Sequence, residues 1–234
     1  MSIQIERYIN KFTSQLDKDN HSRYKSFDHC KNFFNILIKK DILNDKDIDQ
    51  MSLLLFSYLS SWGMLRNSFI MYKDYLFHKG AVEILLKEKY KTLHNFNPIN
   101  QNSESIIKLI LELKKEINNY YFGKKYYDGR EEYVVNNKIS DTLISKIILG
   151  TLSCVPAFDR YVRLGLRGVK IPASFSKNGL KELNDYVINN KDSSYSICKT
   201  SKSITKDTYP IMKLVDICLW EYGKEIWDKE HTLK

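Results

Sequence analysis

Apolar residues recur at helical spacing along most of the chain. Residues 27–39 carry apolar side chains at positions i, i+3, i+4 and i+7, and residues 3–16 carry a similar one-sided stripe. Residues 48–59 are almost continuously apolar, which predicts a helix buried on most sides. A further helix is predicted over about residues 73–88. Because the whole chain has only four prolines and nine glycines, turn-rich β architectures are disfavoured.

Residues that favour helix starts precede three apolar stretches in the second half of the chain. Ser103 is placed to cap one predicted helix, and Ser140 or Asp141 to cap the next. Pro156 prevents that second helix from continuing. Asp159 is then placed to cap a third helix with the sequence RYVRLGLRG.

The rest of the second half predicts more helix separated by polar segments. Short helices are predicted near residues 177–190, and a polar loop over residues 192–207. Pro210 stands in the first turn of a long last helix. The prediction is therefore an all-α fold.

The domain prediction is one compact helical domain over residues 1–234. Within it, the polar segment 123–139, with a turn at Asp128-Gly129, is the predicted hinge. It would join a lobe of residues 1–122 to a lobe of residues 140–234.

The charge balance favours a polyanionic partner. Lys and Arg number 37 against 28 Asp and Glu, a net charge of +9. Such a surplus attracts nucleic acid first and a membrane surface second. The positive residues are not gathered into one run, so a lysine-rich solvated surface explains the charge equally well.

The cysteines Cys30, Cys154, Cys198 and Cys218 form no zinc or iron–sulfur spacing. We therefore expect reduced, mostly buried thiols, with no metal and no cofactor. The stretch MSIQIERYINKF lacks the apolar region of a signal peptide, and no apolar run reaches the length of a membrane span. The expectation is a soluble, cytoplasmic, monomeric protein without a membrane partner.

Two stretches together resemble the helix–hairpin–helix DNA glycosylase superfamily. Residues 53–69, LLLFSYLSSWGMLRNSF, resemble the family's early buried helix, which ends at the DNA minor groove. Residues 143–168, LISKIILGTLSCVPAFDRYVRLGLRG, resemble its second hairpin helix and catalytic segment. The hairpin loop L-P-G-V-G of the family is replaced at residues 136–142 by NNKISDT. The two stretches cover less than a fifth of the chain.

The resemblance implies a two-lobed helical glycosylase fold and a catalytic carboxylate at Asp159. Such a carboxylate stabilises the positive charge that builds on the sugar as the base leaves, and it orients a water. Lys146 is the candidate nucleophile of a lyase step. The Schiff-base lysine of lyase-competent members usually lies further upstream, so a monofunctional hydrolase is favoured. Residue chemistry alone explains Asp159 as a helix cap and Lys146 as a lysine that extends from a buried helix to water.

The resemblance also implies residues that contact double-stranded DNA and residues that line a base pocket. Residues of the first stretch would fill the gap left by a flipped base, and cations after Asp159 would hold phosphates. Three residues at i, i+4, i+8 spacing on the last helix would line the base pocket. The DNA-contacting set is Ser60, Ser61, Trp62, Arg66, Arg160, Arg163, Arg167 and Lys170, and the pocket set is Met212, Asp216 and Trp220.

For several of these residues a purely structural role competes with the functional one. Trp62 is equally typical of a core side chain at a helix end, and Asp216 of a salt bridge at the edge of the core. The cations after Asp159 are also typical of a solvated helix face.

Two other functions are compatible with the sequence. Arg23 and His29 have the Arg-x4–6-His spacing of a HEPN-like ribonuclease, a short pattern that often arises by chance. A non-catalytic helical module that binds nucleic acid or protein requires only the charge and the helical stripes. For the glycosylase, the departures from housekeeping patterns suggest a modified base, such as a hypermodified base in phage DNA, and a role in antiviral defence.

Overall fold

The structure is a computed structural model that describes residues 4–40, 42–66, 68–136, 138–191 and 208–231. It is mostly helical, as the apolar spacing predicted. The α-helices are α1 (Ile5–Lys18), α2 (Lys25–Leu37), α3 (Asp45–Ser61), α4 (Lys79–Leu85), α5 (Ser103–Tyr121), α6 (Asp141–Thr151), α7 (Arg160–Gly168), α8 (Lys177–Asn189) and α9 (Ile211–His231). Short 3-10 helices cover Phe69–Tyr72, Tyr75–His78 and Glu88–Leu93, and two strands are β1 (Lys125–Tyr127) and β2 (Glu132–Val134).

Local hydrogen bonds at the helix starts explain where the helices begin. The hydroxyl of Ser140 accepts the N–H of Leu143 at the start of α6. At the start of α5 the cap is Asn102, whose side chain accepts the N–H of Glu104, so the prediction of Ser103 was wrong by one residue. Asparagine caps at least as well as serine, and it stands one position earlier.

The predicted hinge contains an antiparallel β-hairpin that the sequence analysis missed. Lys125 is paired with Val134, Tyr126 with Tyr133, and Tyr127 with Glu132. The turn lies at the predicted place, because the Asp128 carboxylate accepts the N–H groups of Arg130 and Glu131.

Elsewhere the predicted helices differ in length from those observed. The region 73–88 is divided between a 3-10 helix and the short helix α4, and residues 177–190 form one helix instead of several. On α3, Leu53 is 47% exposed, so this helix has one solvent-facing side. The loop predicted for residues 192–207 lies outside the described residues.

The core is shared by both halves of the chain, since α6 packs on α2 and α3, and α9 packs on α7 and α1. The α7–α9 crossing is close because a Cβ at Gly165 would collide with the backbone of Leu219, and one at Gly223 with that of Tyr161. Cys30, Cys154 and Cys218 are buried, whereas Cys198 lies outside the described residues. Within the described ranges, every helix is too short or too polar to cross a membrane.

Candidate active site

A buried loop, residues 152–158, connects α6 to α7 and leads directly into Asp159. Loops usually lie at the surface because their backbone polar groups need partners. Here side chains supply those partners. The Asp216 carboxylate accepts the N–H of Ala157 at 2.9 Å, and the Ser145 hydroxyl accepts the N–H of Phe158 at 2.8 Å.

The carbonyl oxygen of Phe158 is held from two further helices. The Thr142 hydroxyl donates to it at 2.9 Å and the Arg163 Nε at 2.8 Å. Helices α6, α7 and α9 therefore all bind the two residues immediately before Asp159. A group held by this many bonds is fixed in position, which is what a reacting group requires.

Asp159 carries two interactions, one on each carboxylate oxygen. Its Oδ1 accepts the N–H of Val162 at 3.1 Å, so the predicted role as the cap of α7 is confirmed. Its Oδ2 accepts a hydrogen bond from Lys146 Nζ at 3.1 Å. The side chain of Lys146 is 4% exposed and that of Asp159 15% exposed. The structure thus brings the two predicted catalytic residues together, with the lysine buried and the carboxylate at the edge of solvent.

Trp62 forms a wall of this site. Lys146 Nζ lies 4.7 Å from the centroid of its ring, at a distance typical of a cation–π interaction. The ring also packs edge-to-face on Trp220, with centroids 6.3 Å apart. Its indole nitrogen is buried and has no hydrogen-bond partner among the described residues. The predicted residues Trp62, Lys146 and Trp220 therefore meet in one place.

A second buried ion pair also lies close to Trp62. Lys213 Nζ donates to Asp216 Oδ2 at 3.0 Å and lies 5.5 Å from the centroid of the Trp62 ring. Asp216 thus has the salt bridge considered above, and it also holds the loop before Asp159. The sequence analysis missed Lys213, although its position three residues before Asp216 on an apolar helix was a usable signal.

Tyr58 is a further buried residue of this region that the sequence analysis missed. Burial raises its pKa well above the ordinary value, and the nearby carboxylates of Asp216 and Asp159 raise it further. Its hydroxyl therefore stays protonated. Its ring occupies the space beside Gly150 on α6, where any side chain would collide with it.

An open cavity of about 430 Å³ lies beside the first turn of α6. Thr142 lines this cavity and is one helical turn before Lys146, so the two side chains share a face of α6. Arg66, which the resemblance assigned to DNA contact, is exposed and also lines the cavity. Neither Lys146 nor Asp159 lines the cavity, but Thr142 connects the two places, because its hydroxyl bonds the carbonyl of Phe158 immediately before Asp159. The cavity volume is within the range of small-ligand sites.

The other predicted DNA-contacting residues are divided between the surface and the interior. Arg160 and Arg167 on α7, and Lys170 just after it, are exposed. Arg163 instead bonds the Phe158 carbonyl and lies 3.7 Å from Asp141, which makes it a positioning residue. Arg160, Arg167 and Lys170 thus form an exposed basic edge.

The two predicted serines at the end of α3 face inward. Ser60 has a buried hydroxyl with no partner among the described residues, and the hydroxyl of Ser61 donates to the Tyr58 carbonyl at 2.8 Å. Met212 lies in the core. These side chains would reach DNA or a bound base only after a rearrangement.

Within the described ranges no hydrogen bond joins the side chains of Arg23 and His29. The Arg23 guanidinium lies 5.7 Å from the ring centroid of Trp62, just before α2 begins, and His29 is an exposed residue of α2. We therefore place the candidate chemistry at Asp159.

Comparison of the chain with protein-family models, with curated proteins and with solved structures gave no match.

Proposed function

We propose that this protein is a DNA glycosylase-like enzyme that hydrolyses the N-glycosidic bond of a modified base, with Asp159 as the catalytic carboxylate. The observation that carries the proposal is the Lys146–Asp159 pair, in which the lysine is buried and the carboxylate is at the edge of solvent. The residue before Asp159 accepts a hydrogen bond from Thr142, which lines a cavity. Partly desolvated charged groups in a cleft are typical of active sites.

The chemistry proposed for Asp159 is electrostatic. Positive charge builds on the sugar as the base leaves, and a carboxylate fixed in place stabilises it without having to reorganise. The Val162 N–H and Lys146 each take one lone pair of the carboxylate, and each oxygen keeps another for a water or for the sugar. Lys146 then has the role of holding the carboxylate, which supports a monofunctional hydrolase.

DNA would be held by the exposed cations around the site. Arg160, Arg167 and Lys170 stand on the α7 side, and Arg66 stands at the cavity. Their side chains have no ion-pair partner among the described residues, so each is available for a phosphate. Trp62 supplies an aromatic wall for an unstacked base and, in this proposal, does not act as the wedge.

The test is cleavage of a panel of duplex DNAs by wild type, Asp159→Asn and the control Asp47→Asn. The panel contains uracil, oxidised, alkylated, hydroxymethylated and glucosylated bases, and alkali then cuts any abasic site. Asp159→Asn keeps the helix cap but removes the charge. Asp47 is a matched carboxylate, because it also bonds backbone at a helix start and pairs with a lysine, but it stands at the start of α3.

Alkali-dependent cutting by wild type and Asp47→Asn, reduced about a hundredfold or more in Asp159→Asn, is the expected result. Trapping of wild type on DNA by borohydride, lost in Lys146→Met, would show a lyase and contradict the monofunctional assignment. Absence of cutting on every substrate, with DNA binding retained, would identify a non-catalytic binding module instead. Efficient cleavage of ordinary uracil or alkylated bases would refute the proposed role in defence against phage DNA.

A further inference from the structure

Two parts of the chain line the cavity beside α6, and each contributes a cation and apolar side chains. One wall comes from the segment after α3 and the first turn of α6, and the other from the β-hairpin and the residues after it. The hairpin is held in place by aromatic packing. Tyr126 on β1 is stacked between Tyr133, with centroids 5.3 Å apart, and Tyr72, with centroids 5.8 Å apart. Packed side chains therefore hold the hairpin side of the cavity in place against the rest of the fold.

The charged side chains that line the cavity are positive. Arg66 and Lys138 both line the cavity, and neither has an ion pair within the described part of the chain. None of the described lining residues is an aspartate or a glutamate. Asp141, the carboxylate nearest in sequence to the lining residues, is already paired with Lys114 at 2.6 Å and with Arg163 at 3.7 Å. The start of α6 adds the positive end of a helix dipole to the same cavity. Together these features favour an anionic ligand.

The cavity lining also contains apolar and aromatic side chains. These include Met64, Phe69 and Tyr126, and the rings of Phe69 and Tyr126 are 6.2 Å apart. An inorganic ion would make no favourable contact with these apolar side chains. A ligand that carries both an anionic group and a flat apolar ring would contact both the cations and the apolar side chains. A nucleotide has these two parts. A volume of about 430 Å³ is within the range of small-ligand sites.

We propose that this cavity binds one unpaired nucleotide of a DNA strand, with its phosphate between Arg66 and Lys138 and its base against Phe69 and Tyr126. The nucleotide would lie beside the one that reacts at Asp159, because Thr142 in the cavity wall is one turn from Lys146. The DNA source of the nucleotide rests on the proposed function, whereas binding in the cavity requires neither Asp159 nor hydrolysis.

The test measures binding of fluorescein-labelled dT10 by anisotropy over a range of salt concentrations. All proteins carry Asp159→Asn, so that binding is measured without turnover. The variants are Arg66→Gln with Lys138→Gln to remove both cations, and Asn136→Trp to fill the cavity without changing its charge. The matched control is Arg130→Gln, which removes an exposed cation from the hairpin outside the cavity. Unlabelled dTMP and a blunt ten-base-pair duplex serve as competitors.

We expect the double variant to weaken dT10 binding about tenfold or more and to lower the salt slope by about 1.4, which is two contacts at about 0.7 each. Asn136→Trp should weaken binding to a similar degree with the slope retained, and Arg130→Gln should bind within about twofold of its parent.

Equal binding by the double variant and Arg130→Gln would overturn the proposal. So would competition by the blunt duplex as strong as that by unlabelled dT10. Competition by dTMP at the same concentration as dT10 would assign the cavity to a free nucleotide and would also overturn the DNA assignment. Failure of DNA cleavage by wild type, with this binding pattern intact, would refute the proposed hydrolysis alone.

Discussion

Replacing Asp159 with asparagine leaves Lys146 as a buried cation without its ion-pair partner. The two charges are 3.1 Å apart, which at an effective dielectric constant of about 20 corresponds to roughly 5 kcal/mol of attraction. Part of this attraction offsets the cost of removing both groups from water. Measured losses for breaking a buried pair are about 3–5 kcal/mol, and we expect Asp159→Asn to lie within this range. Asparagine has a single acceptor oxygen, so when that oxygen keeps the Val162 N–H, the amide NH2 faces Lys146 and cannot accept from it.

The opposite replacement is expected to cost less. In Lys146→Met the apolar side chain suits a position that is 4% exposed, and the remaining carboxylate keeps the Val162 N–H and some contact with water. We expect a loss of about 1–2 kcal/mol. The double variant contains no unpaired charge, so it should be more stable than the sum of the two losses predicts, by about 2 kcal/mol.

Urea unfolding followed by circular dichroism at pH 7 gives the four free energies of unfolding needed for this cycle. The matched control is the exposed Lys125–Glu132 pair on the hairpin, whose atoms are also close, at 2.8 Å, but surrounded by water. Its cycle should show no coupling beyond experimental error. If the losses at Asp159 and Lys146 were simply additive, Lys146 would not be a desolvated partner of the carboxylate, and the geometry argued for the active site would be refuted.

Two further predictions concern the core. Gly223→Ala should lower the free energy of unfolding by about 3 kcal/mol or more, because its Cβ would collide with the Tyr161 carbonyl oxygen at the α7–α9 crossing; a urea midpoint within error of wild type would contradict this. Burial lowers the pKa of Lys31 to about 7. Between pH 7 and about 10 the unfolded chain therefore binds a proton that the folded chain does not, and stability rises with pH, whereas below pH 7 the full cost of the buried charge applies. Lys31→Met should therefore be more stable than wild type at pH 6, and the rise in stability with pH should be reduced in urea titrations; an unchanged pH dependence would contradict the burial argument.

The features that the sequence predicted are those decided within a few residues. The cap at Asp159 depends on a bond to Val162 three positions later, and the cap at Ser140 on Leu143, so composition and spacing are sufficient. The helical class follows for the same reason, because apolar spacing records which face of a helix is buried.

The hairpin and the supports of the loop depend instead on distant packing. The strands β1 and β2 have three residues each, and Tyr126 of β1 packs against Tyr72, more than fifty positions earlier. Likewise, nothing near Ala157 in sequence indicates that Asp216 accepts its N–H. The pairing of Lys146 with Asp159 follows from the path of this buried loop, so residue spacing alone could not predict it.

The absence of side chains at Gly165 and Gly223 has a consequence for stiffness. The backbones of α7 and α9 are in contact at their crossing, with no layer of side chains between them that would let one helix slide past the other. Helix α7, which Asp159 caps, and helix α9, which carries Asp216, therefore behave as one rigid unit. The β-hairpin lies outside this unit, since no residue of α7 or α9 is among the described residues that line the cavity. A shift of the hairpin to fit a ligand in the cavity should therefore leave Asp159 and Asp216 in the same positions relative to each other.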